Sequence, residues 1–337
     1  MISLGRRAVV RTLVGVLAAL AVAGFLYEAA SEARDARRFP APGTLIDVGG
    51  RRLHLVCLGA GRPTVLFEAS AFSNSLSFDV ARAALATHTT VCSYDRAGVG
   101  WSDPGPGIMS AGTLAEDLHR METAAALAPP FVIVASSIGG VTAEMFARRY
   151  PERVAGLVFA DAANSDLIAL SAPTGQSLKL VEWRAACLAA TAAGRLGMAR
   201  LFDPFGLRRS PSDGAVRSAA LMYRAQPWVT LCAMVRGLST TQEEFRRAPA
   251  LRRDVPVVVL TAERSDGLLP PALAGAVSET ELRGIVRLLG ETHRRLAQRS
   301  ARGSWRLVSG SDHLIANSRP QAVVDAVLEL LAHIRGA

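Results

Sequence analysis

The stretch from Pro130 to Gly140 holds the residues best placed to do chemistry. An apolar, β-branched run stops at two serines. A Gly-Gly pair follows, and Val141 to Tyr150 carries helical spacing until Pro151 ends it. Strand, abrupt turn and helix put one side chain at a tight corner, over the N–H groups that a helix N-terminus leaves unpaired. Ser137 lies two residues before Gly139 and takes that corner, with Ser136 just before it. A hydroxyl held this way attacks carbonyl carbon, and the unpaired N–H groups receive the oxyanion. It is a poor nucleophile until a base removes its proton, so an imidazole must come within hydrogen-bond reach. His313 is the candidate, in a Gly-Ser-Asp loop after a strand-like run. His54, His88, His119, His293 and His333 lie in strand, helix or surface contexts. Ala135 stands where the G-x-S-x-G pattern has its first glycine, and a methyl group can be accommodated there.

Groups so far apart along the chain need a rigid scaffold. Thr44–Val48 and Arg52–Leu58 alternate in hydrophobicity, and Gly49-Gly50 between them signals a hairpin. A strand over Pro63–Glu68 leads into the loop Ala69–Ser75. A helix around Phe78–Ala86 precedes the next strand, from Thr90. Thr113 and Glu116 form a capping box for a helix running to about Ala126. After the corner comes the strand Val154–Asp161, and then no strand until Val255–Thr261. The interval holds helical segments near Ser177–Leu201, Ser212–Arg236 and Thr240–Arg247. A helix near Glu279–Ala301, a strand over Trp305–Val308 and a helix from Pro320 to about Ile334 close the chain, the last packing through Val323, Val327 and Leu331. The rhythm predicts an α/β fold, a mostly parallel central sheet flanked by helices with a helical cap insertion. Residues 43–163 and 254–337 form the core, 164–253 the cap, and 1–38 an anchor or signal segment with its linker.

The 337 residues, half of them hydrophobic, suffice for one large domain plus an insertion. A net charge of +9 invites a nucleic-acid partner. The arginines are scattered, however, Lys179 is the only lysine, and no basic stripe with interleaved aromatics occurs, so nucleic acid is not expected. The charge reads as a bias toward Arg and Ala, compatible with an anionic membrane surface. Cys57, Cys92, Cys187 and Cys232 lack metal-site spacing, and neither a metal nor an organic cofactor is expected. Near the N-terminus, Arg6, Arg7 and Arg11 precede an uncharged run from Thr12 to Tyr27, which Ala8-Val9-Val10 and a snorkelling Arg11 extend to spanning length. The expectation is an uncleaved single-pass anchor in the cell membrane, with the short basic N-terminus inside and the catalytic domain outside the cytoplasm. The alternative is a signal cleaved after Ala21-Val22-Ala23 or Glu28-Ala29-Ala30, giving a secreted protein.

From about residue 43 to the C-terminus the chain resembles the α/β-hydrolases. The resemblance is carried by Tyr94-Asp95-Arg96-Ala97-Gly98-Val99-Gly100-Trp101-Ser102-Asp103, by the corner at Ser137, and by Gly310-Ser311-Asp312-His313-Leu314-Ile315 with Pro320 beyond. It implies Ser137 as nucleophile and His313 as base, in the family's order of serine, acid, histidine. It offers two positions for the acid. Asp266, after the Val257–Thr261 strand, leads, with Glu263 a weaker neighbour; Asp161, after the strand that follows the corner helix, is the alternative. It implies an oxyanion hole from the Ile138 N–H and the Ala71 N–H. The loop bearing Ala71 is normally glycine-rich, and here Ser70, Phe72 and Ser73 would be strained at positive φ. Phe72 is expected to line the acyl pocket, and Ser136 to adjoin the substrate. Asp95, Arg96, Gly98 and Trp101 are expected to be architectural. In the family's strand order Cys57 and Cys92 fall on neighbouring strands, either as a disulfide or as two packed thiols. The implied activity is hydrolysis of carboxylic esters, apolar or lipid-like ones included, through an acyl-enzyme. Trp183, Met198, Phe202, Phe205, Met222, Tyr223 and Trp228 of the insertion would cap the site, or most of them form the insertion's own core. Amide hydrolysis, or an inactive anchored binding module, are the alternatives. A serine disfavours the epoxide-hydrolase and dehalogenase branches, which use aspartate.

Overall fold

The computed structural model describes residues 2–170, 177–209, 213–264 and 278–336. They form two compact units, residues 41–176 with 230–337, and residues 1–40 with 177–229.

The larger unit is built on eight strands: β1 (Thr44–Asp47), β2 (Arg52–Leu58), β3 (Thr64–Glu68), β4 (Val91–Tyr94), β5 (Phe131–Ser136), β6 (Val154–Ala160), β7 (Val257–Ala262) and β8 (Gly303–Val308). Their order is β1-β2-β4-β3-β5-β6-β7-β8. β2 pairs antiparallel with both its neighbours, and every other pairing is parallel. The β1–β2 hairpin turns at Gly49 and Gly50, both at positive φ, as their types suggested. Along the central strands alternate residues face opposite layers. Leu66, Ile133, Leu157, Phe159 and Val259 join one core, which takes Leu118 and Met121 from the helix Ala111–Ala124. Val65, Val134, Val158 and Leu260 join the other, with Leu85 and with Val323, Val327 and Leu331 from the helix Pro320–Arg335. Helices thus cover both faces, and for that reason β5 and β6 read as unbroken apolar runs.

The helix after β4 begins earlier than the capping box at Thr113 predicts. Its N-cap is Ser110, whose hydroxyl accepts from the Thr113 N–H at 3.3 Å. The first-turn N–H groups of Ala111 and Gly112 donate to the Thr241 hydroxyl and the Glu244 carboxylate, at 2.9 and 2.7 Å. Glu116 instead accepts from Arg120 and from the Tyr150 hydroxyl. The helix Leu238–Arg247 packs within this larger unit.

The smaller unit combines the N-terminal helix Ile2–Arg38 with most of the insertion. The expected Ser177–Leu201 helix is divided into Ser177–Arg195 and Met198–Phe202. Gly197 makes the break in the left-handed region, at φ +69°, where a Cβ would strike the Tyr27 ring at 2.7 Å. Tyr223 is fully buried among Ala199, Ala219 and Phe205, and its hydroxyl donates to Asp203 at 2.5 Å. Of the two readings for these aromatics, Tyr223 and Phe205 follow the second and pack in the insertion's own core. Trp183 lies where no side chain is described. From the N-terminal helix, Glu28, Ser31 and Asp35 are buried.

Candidate active site

At the end of β5 the chain leaves the sheet through Ser137, at φ +53°, and enters the helix Gly139–Arg149. The two glycines answer to close packing. A Cβ on Gly139 would lie 2.6 Å from the Glu68 carbonyl oxygen, and one on Gly140 2.2 Å from that of Ala163. The Ser137 carbonyl accepts from the N–H groups of Gly140 at 3.1 Å and Ala163 at 2.8 Å, tying the corner to the loop after β6.

That loop begins with Asp161. Ser136 of β5 pairs with Ala160 of β6, so Ser137 and Asp161 emerge side by side. The Asp161 N–H donates to the Leu260 carbonyl at 2.8 Å, and its Oδ1 accepts from the Ala262 N–H at 3.0 Å. Its Oδ2 accepts from His313 Nδ1 at 2.7 Å, and His313 Nε2 stands 2.9 Å from Ser137 Oγ. Asp161 and His313 are each 5 % exposed. His313 is presented by the loop after β8. There the Ser311 hydroxyl donates to the Val308 carbonyl at 2.7 Å, and the Leu314 N–H to Asp312 at 2.9 Å. Carboxylate, imidazole and hydroxyl form one hydrogen-bonded line. The carboxylate orients the ring, and Nε2 faces the hydroxyl with a lone pair that can take its proton. Asp266 lies outside the described residues, while Glu263 is exposed and accepts the Gly310 N–H at 2.6 Å.

A second imidazole, His293, is fully buried beside this line, its Nδ1 3.9 Å from Asp161 Oδ1. The Ala162 carbonyl can only accept, so His293 Nε2 carries the hydrogen that donates to it at 2.9 Å. Nδ1 then accepts from the Thr261 hydroxyl at 2.7 Å, and Thr261 Oγ1 accepts from Trp305 Nε1 at 2.8 Å. Burial holds the His293 pKa below the ordinary value, against the pull of Asp161. Its sequence context, mid-helix, gave no hint of this place.

Ile138 follows Ser137 at the head of the helix, and Ala71 stands in the loop after β3. Glu68 pairs with Ala135, so that loop and the corner diverge from adjacent points on the sheet edge. Among the described residues neither N–H has a hydrogen-bond acceptor. The strain expected of the loop is absent: Ser70, Phe72 and Ser73 all avoid positive φ, and the Ser70 and Ser73 hydroxyls pair at 2.6 Å. Phe72 is half-buried, and Ser136 is buried at the end of β5.

Two further side chains brace these loops. Arg96 donates to Glu68 Oε1 at 2.7 Å and to the Ala69 carbonyl, while the Tyr94 hydroxyl takes the other Glu68 oxygen. The available signal was Glu68 itself, an acid closing an apolar strand and in need of a buried cation. Glu144, with no exposure, accepts the Ser165 N–H and hydroxyl, both at 2.7 Å, and so ties the corner helix to the loop of Asp161. Asp95 accepts from His54 at 2.9 Å and from the Ser75 N–H at 2.6 Å, deep in the hairpin side of the sheet. Cys57 and Cys92, paired across β2 and β4, form a disulfide.

The profile of the α/β hydrolase fold matches residues 63–198. This is an α/β-hydrolase fold. An esterase from Thermogutta terrifontis superposes on this chain with a TM-score of 0.63, covering 86% of it and 97% of the esterase at 20% identity. An enol-lactonase from Burkholderia xenovorans gives 0.60, with 86% and 100% covered at 17% identity. A putative lipase from Acinetobacter baumannii gives 0.63, with 90% and 95% covered at 19% identity. In sequence the chain is 30% identical over 184 residues to an uncharacterised protein of Schizosaccharomyces pombe, 54% of this chain and 33% of that one. It is 22% identical over 144 residues to the uncharacterised YbdG of Bacillus subtilis, 42% and 44% of the two. The chain thus matches less than half the length of these curated relatives.

Proposed function

We propose that the chain is a serine hydrolase acting on carboxylic esters through an acyl-enzyme. The single observation that carries this reading is the line Asp161–His313–Ser137, with contacts of 2.7 and 2.9 Å. In the first half-reaction His313 Nε2 takes the proton of Ser137 as Oγ attacks the ester carbonyl. The oxyanion of the tetrahedral intermediate accepts from the Ile138 and Ala71 N–H groups. His313 then gives its proton to the departing alcohol, which leaves Ser137 acylated. Water, deprotonated by the same imidazole, attacks the acyl carbon, and His313 returns that proton to Ser137 Oγ as the acid is released. Asp161 holds the ring in one tautomer throughout and stabilises its cation.

Esters are favoured over amides by the structural neighbours named for esterase and lactonase activity. The N-terminal helix anchors the enzyme as a single span, since an 18-residue window within Arg7–Arg38 has a mean hydropathy of 2.2 and none of it is buried. The Cys57–Cys92 disulfide supports a catalytic unit outside the cytoplasm. Anchoring beside a bilayer suits apolar, lipid-like esters.

A fluorophosphonate probe tests the chemistry. The full-length protein should label, and Ser137→Ala should not. Turnover of p-nitrophenyl esters should exceed that of aminoacyl anilides by roughly 100-fold or more. An unlabelled wild-type protein would end the reading, leaving an anchored binding module.

A further inference from the structure

The N-terminal helix changes character at a definite level. Its large apolar side chains are exposed from Val9 to Leu26, whereas Glu28, Ser31 and Asp35 are buried. Arg200 sits between Glu28 and Asp35, donating to them at 2.8 and 2.5 Å, and is itself 6 % exposed. These bonds hold the short helix Met198–Phe202 against the stretch of the N-terminal helix just past the apolar run. Two close approaches carry the contact back into that run. A Cβ on Gly24 would lie 2.9 Å from the Leu196 carbonyl oxygen, and Gly197 abuts the Tyr27 ring. At about 1.5 Å of rise per residue, Gly24 lies roughly 5 Å inside the apolar end marked by Tyr27. The turn at Leu196 therefore shares its depth with the last turn of the span.

The side chains that follow fit such a level and do not suit water. Met198, Leu201 and Phe202 are 38%, 61% and 68% exposed, while Ala199 and Arg200 between them face inward. A compact apolar face beside a spanning helix is covered by the layer where acyl chains meet headgroups. Charge agrees. A cavity of about 330 Å³ next to this helix is lined by Arg34, Arg38, Arg200 and Arg208, with Asp35 the one carboxylate among the described lining residues. Asp35 is already paired with Arg200. The remaining guanidiniums match phosphate.

We propose that residues 196–202 of the insertion are seated in the interfacial layer of the same bilayer that the N-terminal helix crosses. Leu201 and Phe202 reach the acyl boundary, and Arg34, Arg38 and Arg208 meet the phosphates of anionic lipids. The inference rests on the anchor reading, and the two are separable by experiment.

The full-length protein is placed in nanodiscs of phosphatidylcholine and phosphatidylglycerol, with a benzophenone amino acid replacing Leu20 in one preparation and Phe202 in another. Lipid adducts after irradiation are counted by mass spectrometry. Seating predicts adducts at both positions, with yields within about threefold of each other. Strong labelling at 20 with labelling at 202 about tenfold lower overturns the seating and leaves the anchor standing. No adduct at either position overturns the anchor, and the seating with it. In a second arm the adducts at 202 should be enriched in phosphatidylglycerol by roughly two- to fivefold over its share of the bilayer. Arg38→Gln/Arg208→Gln should return them to that share, and equal enrichment in this variant would remove the headgroup part of the proposal.

Discussion

Ser137 and Asp161 stand one residue beyond the paired Ser136 and Ala160 on adjacent parallel strands, and both take left-handed backbone angles, φ +53° and +47°. Each chain leaves the sheet at the same level by the same kind of turn, one presenting a hydroxyl and the other a carboxylate to His313. Such angles cost a non-glycine residue about 1–3 kcal/mol each. The Ser137 carbonyl and the Asp161 N–H and carboxylate all find hydrogen-bond partners that offset this.

The proposed role of Asp161 as the acid has a direct kinetic test. Asp161→Asn keeps the shape but lets the amide favour the wrong ring tautomer. It should lower kcat on a p-nitrophenyl ester by roughly 10⁴-fold with little change in KM. Asp266→Asn should leave kcat within about threefold. Collapse in the second variant and not the first would reassign the acid.

Gly140 senses the spacing between the corner helix and the loop of Asp161. In Gly140→Ala the new methyl meets the Ala163 carbonyl at 2.2 Å and the Ala162 Cβ at 2.8 Å, both on that loop. Overpacking of this kind costs about 1–3 kcal/mol. A denaturant titration should register that loss, and kcat should fall further than stability alone explains, because the carboxylate moves with the loop.

Arg96 is expected to be structural, with an effect on the Ala69 loop. It is 4 % exposed against Glu68 at 1 %, so Arg96→Met strands a buried carboxylate at a cost of about 3–5 kcal/mol. Adding Glu68→Gln should recover much of the loss in thermal melts, since the stranded charge is then gone. A double variant no more stable than the single one would refute this account.

His293 links stability to pH. Its pKa is depressed in the fold, chiefly by burial, so the unfolded chain binds the proton more readily. The contribution of His293 is complete above the unfolded value near 6.5 and is lost as pH falls from there toward the folded value. One proton sets the ceiling on that slope, about 1.4 kcal/mol per pH unit. Urea titrations between pH 7.5 and 5 should show the wild-type protein weakening faster than His293→Gln; parallel curves would count against it.

Much of this was legible locally. The two-residue alternation of β1 and β2 and the unbroken runs of β5 and β6 recorded which faces are buried. The Ser-Ser-x-Gly-Gly corner announced its own turn, because only small residues tolerate the approach of the Glu68 and Ala163 carbonyls. Where partners come from afar, local reading failed. The helix after β4 starts at Ser110 because Thr241 and Glu244, more than 120 residues away, satisfy its first N–H groups. The insertion divides at Gly197 because Tyr27 packs there.

The element rhythm, the corner serine and the late histidine are each written in residues next to one another. Which carboxylate stands 2.7 Å from His313 Nδ1 was decided by tertiary structure. Periodicity records that a strand is buried and says nothing of which strand end lies beside which. That depends on sheet order and register, and these arise from contacts between segments far apart along the chain.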